Sequence, residues 1–134
     1  MKNTLLLLLI FAISGVFAQG KSDVIARGIE VRRFYETDVQ NAGKEYLYKE
    51  EFYNYQGEIV EHKEYNEDGK ITLWTKYKFD QQANVIEELE LDSKGKQKKR
   101  IVHKYENGLR VAKDYYDSKD RLYQSRRYDY EFRR

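Results

Sequence analysis

Between Tyr53 and Leu122 the chain repeats one short phrase six times, and the spacing of that phrase leaves little room for anything but hairpins. The copies are Tyr53-Asn54-Tyr55-Gln56-Gly57-Glu58-Ile59, Tyr65-Asn66-Glu67-Asp68-Gly69-Lys70-Ile71, Phe79-Asp80-Gln81-Gln82-Ala83-Asn84-Val85 and Leu91-Asp92-Ser93-Lys94-Gly95-Lys96-Gln97. A shorter one, Tyr105-Glu106-Asn107-Gly108-Leu109, follows, and then Tyr116-Asp117-Ser118-Lys119-Asp120-Arg121-Leu122. The leading residues recur at intervals of 12, 14, 12, 14 and 11, with 12 more to Tyr128. Asn or Asp in second place can hydrogen-bond its own backbone two residues on, and glycine in fifth place supplies a positive φ. Together these specify a three-residue hairpin loop, a type I turn closed by a left-handed residue. The predicted turn residues are Gly57, Gly69, Ala83, Gly95, Gly108 and Asp120, with Ala83 and Asp120 standing where glycine is easiest.

Thirteen tyrosines and no proline suit the same reading, since tyrosine favours strands and proline is excluded from their paired interiors. Strands are expected over 28–36, 45–53, 58–66, 70–79, 85–91, 97–105, 109–116 and 121–132. Carrying the turn register along regular strands sets Lys76 opposite Glu88, Glu88 opposite Arg100 and Glu90 opposite Lys98. It also sets Ile86 opposite Val102 and Leu73 opposite Leu91, and such pairs stabilise antiparallel neighbours. In the hairpin before, however, it opposes Glu51 to Glu61 and Lys49 to Lys63. The odd spacing from Leu109 to Tyr116 predicts a β-bulge or face switch within 109–116. Neither face alternates cleanly between apolar and polar as a sandwich would. The expected fold is all-β: an antiparallel meander of seven to eight strands, largely a single-layer twisted sheet, with a partly closed barrel as the alternative. An outer-membrane barrel is excluded by the lysines and arginines on both faces.

The N-terminus reads as a cleavable export signal. Lys2 precedes an apolar run from Leu5 to Phe11, and Val16-Phe17-Ala18 before Gln19 fits signal peptidase. The expected organisation is a signal peptide over 1–18, a short linker over 19–27 and one β-repeat domain over 28–134. Removal of 18 residues leaves 116, carrying 24 basic and 23 acidic side chains for a net charge of +1. That balance does not suit a nucleic-acid surface. Without cysteine, neither disulfides nor lipid acylation are available. The expected location is periplasmic or extracellular, with no lipid or transmembrane anchor after cleavage.

The Tyr-Asp-x-x-Gly-x-Leu punctuation resembles the YD (RHS-type) repeats of bacterial exported proteins, and Tyr116–Leu122 is the nearest copy, with Asp120 in the glycine place. Tyr105–Leu109 is also similar to the tyrosine-rich hairpins of MORN-like and antitoxin-type repeats. The resemblance covers about residues 45–132. It implies an exported β-repeat used for contact rather than chemistry. The encapsulating role of large RHS shells does not carry over, because the repeats are too few.

Catalytic and metal signatures are missing from the sequence. His62 and His103 lack a second ligand at metal spacing, and no nucleophile elbow or phosphate loop is present. Adjacent carboxylates such as Glu87 and Glu88 point to opposite faces of a strand. No catalytic residue, cofactor or metal is therefore expected. The possible contact surface is Trp74, Lys76, Glu88 and Arg100, with Trp74 expected to lie beside His62 and Glu90. The expected function is a non-catalytic module that binds an envelope protein or glycan through an open face or an edge. Alternatives are an immunity-like protein that neutralises a toxin, and an envelope glycan-binding protein.

Overall fold

The computed structural model describes residues 20–40 and 43–133. The proposed signal peptide lies outside the described residues. Eight strands follow one another in a single antiparallel sheet in chain order, so every neighbour in space is a neighbour in sequence. They are β1 (Val31–Asp38), β2 (Lys44–Tyr53), β3 (Ile59–Tyr65), β4 (Ile71–Phe79), β5 (Val85–Leu91), β6 (Gln97–Glu106), β7 (Leu109–Tyr116) and β8 (Leu122–Arg127). The sheet is open, with β1 and β8 at its edges, so the expected all-β meander is the fold and the barrel alternative is not. The terminal strands differ from expectation, β1 beginning later and β8 ending earlier.

The turns form as their residue types dictate. In the second repeat the Asn66 carboxamide oxygen accepts from the N–H groups of Asp68 and Lys70 at 3.1 and 2.9 Å. Asn54, Asp80, Asp92 and Asp117 each make the same two bonds in their own turns. The residue closing each loop has φ between +60° and +80°, Ala83 and Asp120 included. The fifth turn is tighter. Glu106 pairs with Leu109, leaving Asn107 and Gly108 as a two-residue loop with both φ values positive, the type I′ geometry.

Beyond the turns the register departs from the regular expectation, always in the same way. From β3 on, each returning strand carries one extra residue just after the turn: Val60, Thr72, Ile86, Lys98, Val111 and Tyr123; opposite β1 the extra residue, Tyr48, lies in the middle of β2. The bulge expected within 109–116 is present at Val111, but it belongs to a series rather than being special to β7. The consequence is a one-residue slip along each ladder. Lys76 faces Leu89, Glu88 lies between Tyr77 and Ile101, and Arg100 pairs with Leu89. Val102 faces Glu87, not Ile86, and Leu73 faces Glu64 on its other side. Glu90 pairs with Lys99 in the backbone register, although Lys98 still reaches its carboxylate at 2.6 Å.

The slip removes the like-charge pairs of the regular register. In place of Glu51 against Glu61 and Lys49 against Lys63, Lys49 faces Glu64 and Glu50 faces Lys63. Opposite charges across a ladder stabilise it by about 0.2–1 kcal/mol per pair and like charges oppose it. A bulge also increases local twist, so a bulge in every hairpin builds a strongly twisted sheet.

Residues 21–27, expected as a linker, form a short helix, α1 (Lys21–Arg27), ended by Gly28 in the left-handed conformation. It lies over the β2–β3 turn. Val24 is buried, and Lys21 pairs with Glu58. A Cβ built on Gly57 would sit 2.9 Å from Ile25 Cγ1 and 3.1 Å from the Lys21 carbonyl, whereas one on Gly69 meets nothing within 4 Å. Both glycines have similar positive φ, so the pair separates backbone strain from helix docking. Gly69→Ala is expected to cost about 1 kcal/mol through the left-handed conformation alone. Gly57→Ala should cost measurably more and release α1, read by chemical denaturation and by amide exchange at Val24.

The sheet has little apolar interior. Among the described residues, the buried hydrophobic ones besides Val24 are Leu91 and Ile101, while Glu50, Glu51, Thr75, His103 and Asp114 are buried polar ones. Cohesion therefore rests on cross-strand rows that mix apolar stems, rings and charges. None of the described helices is long and apolar enough to cross a membrane.

Candidate contact surfaces

Two rows define the two faces. Arg32, Glu51, His62, Thr75, Glu90 and Lys99 stand side by side across β1 to β6 on the face that carries α1. Arg33, Glu50, Lys63 and Trp74 form the neighbouring row, which alternation places on the other face. His62 and Glu90 thus flank Thr75, not Trp74.

On the Trp74 face the indole is held on several sides. Its Nε1 donates to Glu61 Oε1 at 2.7 Å, and the Lys63 and Lys76 ammonium groups lie 4.6 and 5.5 Å from the ring. A Cβ built on Gly95 would lie 3.5 Å from its far edge. Lys76 and Arg100 share this face through a single row, Phe52, Glu61, Lys76, Leu89, Arg100 and Tyr116. Glu88 does not join them. It lies on the α1 face, where its carboxylate meets His103 Nε2 at 2.6 Å. The four expected contact residues are therefore split between faces. Arg100 is also committed, stacking on Tyr116 at 4.2 Å and making a two-point bond to Asp120 at 2.8 and 3.0 Å. That bond accounts for an aspartate in a turn position where the repeat otherwise favours glycine. A sugar stacking on Trp74 would have to compete with two lysines for the ring.

On the α1 face the dominant feature is the Glu51 cluster. Arg32 donates to Glu51 through Nε and Nη2 at 3.2 and 2.7 Å, Lys49 approaches at 3.1 Å, and the Tyr53 hydroxyl donates at 2.5 Å. Burial alone would raise the Glu51 pKa, but the bonds from Tyr53, Arg32 and Lys49 outweigh it and hold the group down at about 2. Burial, and then the Glu51 bond, push the Tyr53 hydroxyl up to about 12. A recess of about 420 Å³ opens beside this cluster under α1, with Val24, Ile59, Phe79 and Val85 in its walls. The cluster satisfies its own charges, which marks it as a structural knot. The His62 Nε2 lies 3.2 Å from Glu64 Oε1 yet off a hydrogen-bonding line. His103 is buried against Glu88, and burial pushes its pKa below the usual histidine range despite that carboxylate. Among the described residues no group of three His, Asp or Glu side chains is disposed to hold a metal ion.

The edges differ from both faces. All six residues of β8 are exposed, including Leu122 and Tyr123, each 55% exposed. Tyr130 and Phe132 extend this apolar margin beyond the strand. The Tyr128 N–H donates to the Val111 carbonyl at 2.9 Å, so beyond the bulge at Tyr123 the even-numbered residues point their backbone groups toward β7. Alternation then turns the N–H and C=O of Ser125 and Arg127 outward, where among the described residues no strand pairs with them. None of these is among the expected contact residues Trp74, Lys76, Glu88 and Arg100. Their signal is the pairing of exposed Leu and Tyr with an end-of-meander position. No protein-family model matches the chain, and no relative is found among curated proteins.

Proposed function

We propose that this protein is an exported, non-catalytic interaction module that binds a protein partner by adding the partner's extended strand to the β8 edge. The observation behind this reading is the state of β8: a fully exposed edge strand bearing Leu122 and Tyr123 beside unpaired outward backbone groups. Natural sheets usually blunt such an edge, because it templates pairing with another chain. Strand addition draws affinity from main-chain bonds and specificity from alternate side chains. β8 contains Arg126 and Arg127 and no acidic residue, which favours a partner strand with carboxylates. The Leu5–Ala18 segment supports export, and the repeat resemblance supports contact over chemistry.

The test is capture from an envelope extract by the chain beginning at Gln19, compared with three variants. Ser125→Pro removes an outward N–H that only a partner would use, and proline is tolerated at edges. Ser125→Ala controls for the lost bond from the serine hydroxyl to Asp114. Trp74→Ala tests the face instead. Capture by wild type, Ser125→Ala and Trp74→Ala, with at least tenfold loss in Ser125→Pro, is expected. Loss in Trp74→Ala alone would move the site to the face, and no capture by the wild type would count against a binding module.

A further inference from the structure

We infer that the other edge, β1, is a homodimer interface, where two copies pair antiparallel about a two-fold axis at Phe34. The Glu30 carbonyl accepts from the Tyr53 N–H and the Asp38 carbonyl from the Gly43 N–H, both at 2.9 Å. β1 is unbulged, its register shift being absorbed by the extra Tyr48 on β2. Its even-numbered residues therefore bond inward, and Val31, Arg33, Tyr35 and Thr37 turn their backbone groups outward. Arg33, Tyr35, Glu36 and Thr37 are exposed. Helix α1 leaves this edge open, since it packs back on Gly57 in the β2–β3 turn.

The charge order along β1 selects the occupant. Arg32 and Arg33 occupy its first half, Glu36 and Asp38 its second. An antiparallel copy of the same strand inverts that order and so meets it with opposite charges. Outward residues must face outward residues, which puts the axis on a residue. Axes at Arg33 or Glu36 oppose like charges, and an axis at Tyr35 sets Phe34 against a glutamate. The axis at Phe34 uses residues 31–37 in full. It places Arg32 across from the copy's Glu36, Arg33 across from its Tyr35, Val31 across from its Thr37, and the two Phe34 rings together. The Arg32 guanidinium has five donors and gives Glu51 bonds from two of its nitrogens.

Analytical ultracentrifugation of the chain from Gln19 at tens of micromolar is expected to give twice the monomer mass. Glu36→Arg, which sets two arginines across the axis, and Tyr35→Pro, which removes an outward N–H, should give monomers with unchanged circular dichroism. The chain has no cysteine, so Phe34→Cys places a single thiol on the axis, where facing Cα atoms of a pair not bonded to each other stand about 4.5 Å apart. Oxidation should link it quantitatively, while Tyr123→Cys should stay monomeric. A monomeric wild type, a dimer unaffected by Glu36→Arg, or linkage through Tyr123→Cys instead would overturn the inference. Should Phe34→Cys fail to fold, the wild-type and Glu36→Arg masses decide alone.

Discussion

Glu51→Gln is expected to lower folding stability by about 2–3 kcal/mol at neutral pH and to flatten its acid dependence. The figure comes from the held-down carboxylate: from an ordinary 4.5 to about 2, at about 1.36 kcal/mol per pH unit, corresponds to roughly 3 kcal/mol. Glu51 is only 7% exposed, so solvent screens little of this. A depressed carboxylate stabilises the fold above its unfolded pKa and loses that contribution as pH falls. The window here runs from about pH 4.5 down to about 2. Glutamine keeps an acceptor for the Tyr53 hydroxyl but leaves Arg32 and Lys49 without their shared counter-charge. Asp114, Asp117 and Glu90 are also held below their usual range, so some acid slope should survive in the variant. At the alkaline end the sign reverses. The raised Tyr53 pKa contributes stability below pH 10 that is lost toward pH 12. Urea titrations at pH 2, 3, 4.5 and 7 on wild type and variant check the acid limb. Parallel curves separated by a constant amount at every pH would refute the assignment of this acid dependence to Glu51.

The chain's architecture was legible in its turns, and its ladders were not. Asn54, Asn66, Asp80, Asp92 and Asp117 announce the loops because their side chains complete local bonds that need no tertiary partner. The positive-φ positions follow for the same reason. Register beyond the turn depends on where the strands slip to bring charges and rings into contact, which local rules do not specify. One clue was nevertheless present. Regular pairing opposes Glu51 to Glu61 and Lys49 to Lys63, and the bulge at Val60 converts these to Lys49–Glu64 and Glu50–Lys63. Two adjacent like-charge conflicts in one hairpin signal a one-residue slip, and the same turn chemistry in the next hairpins signals its repetition.

The contact surface was less legible, because its grouping inherits the register. Trp74, Lys76 and Arg100 share a face, but Glu88 crosses to the other once the slip is counted. The α1 helix escaped notice because seven residues with one buried valine carry too little periodicity to read. The edges are a property of the whole meander, so no local motif marks β1 or β8. Their polarity, mixed in β1 and basic in β8, becomes informative only when the strand order is known.

The thinness of the sheet sets up the second large effect, Ile101→Ala, expected to cost about 2–4 kcal/mol. Ile101 is 7% exposed and stands in the row Tyr77, Glu88, Ile101, Tyr115 and Gln124, at the middle of β6. A domain of this kind holds only about 5–15 kcal/mol in total, and with so few buried apolar side chains each supports a large share. The loss should also be local. A meander in which strands touch only their neighbours behaves as a chain of nearest-neighbour interfaces, so amide exchange should rise most in β6 and in the strands on either side of it. The truncation further opens the Glu88–His103 pair to water, since Ile101 pairs directly with Glu88. Burial depresses the His103 pKa, and its Nδ1 has no partner. Wetting the site should therefore raise that pKa toward the ordinary value. The sign on stability follows. Neutral His103 contributes above pH 6.5 and that contribution is lost as pH falls through its lowered pKa, a loss the variant should show less steeply. Val102→Ala, one residue along on the opposite face and less buried, should cost less and leave the His103 titration unmoved. Calorimetry with a proton NMR titration of His103 reads both effects, and equal losses for the two variants with no change at His103 would show that Ile101 has no special place in the sheet.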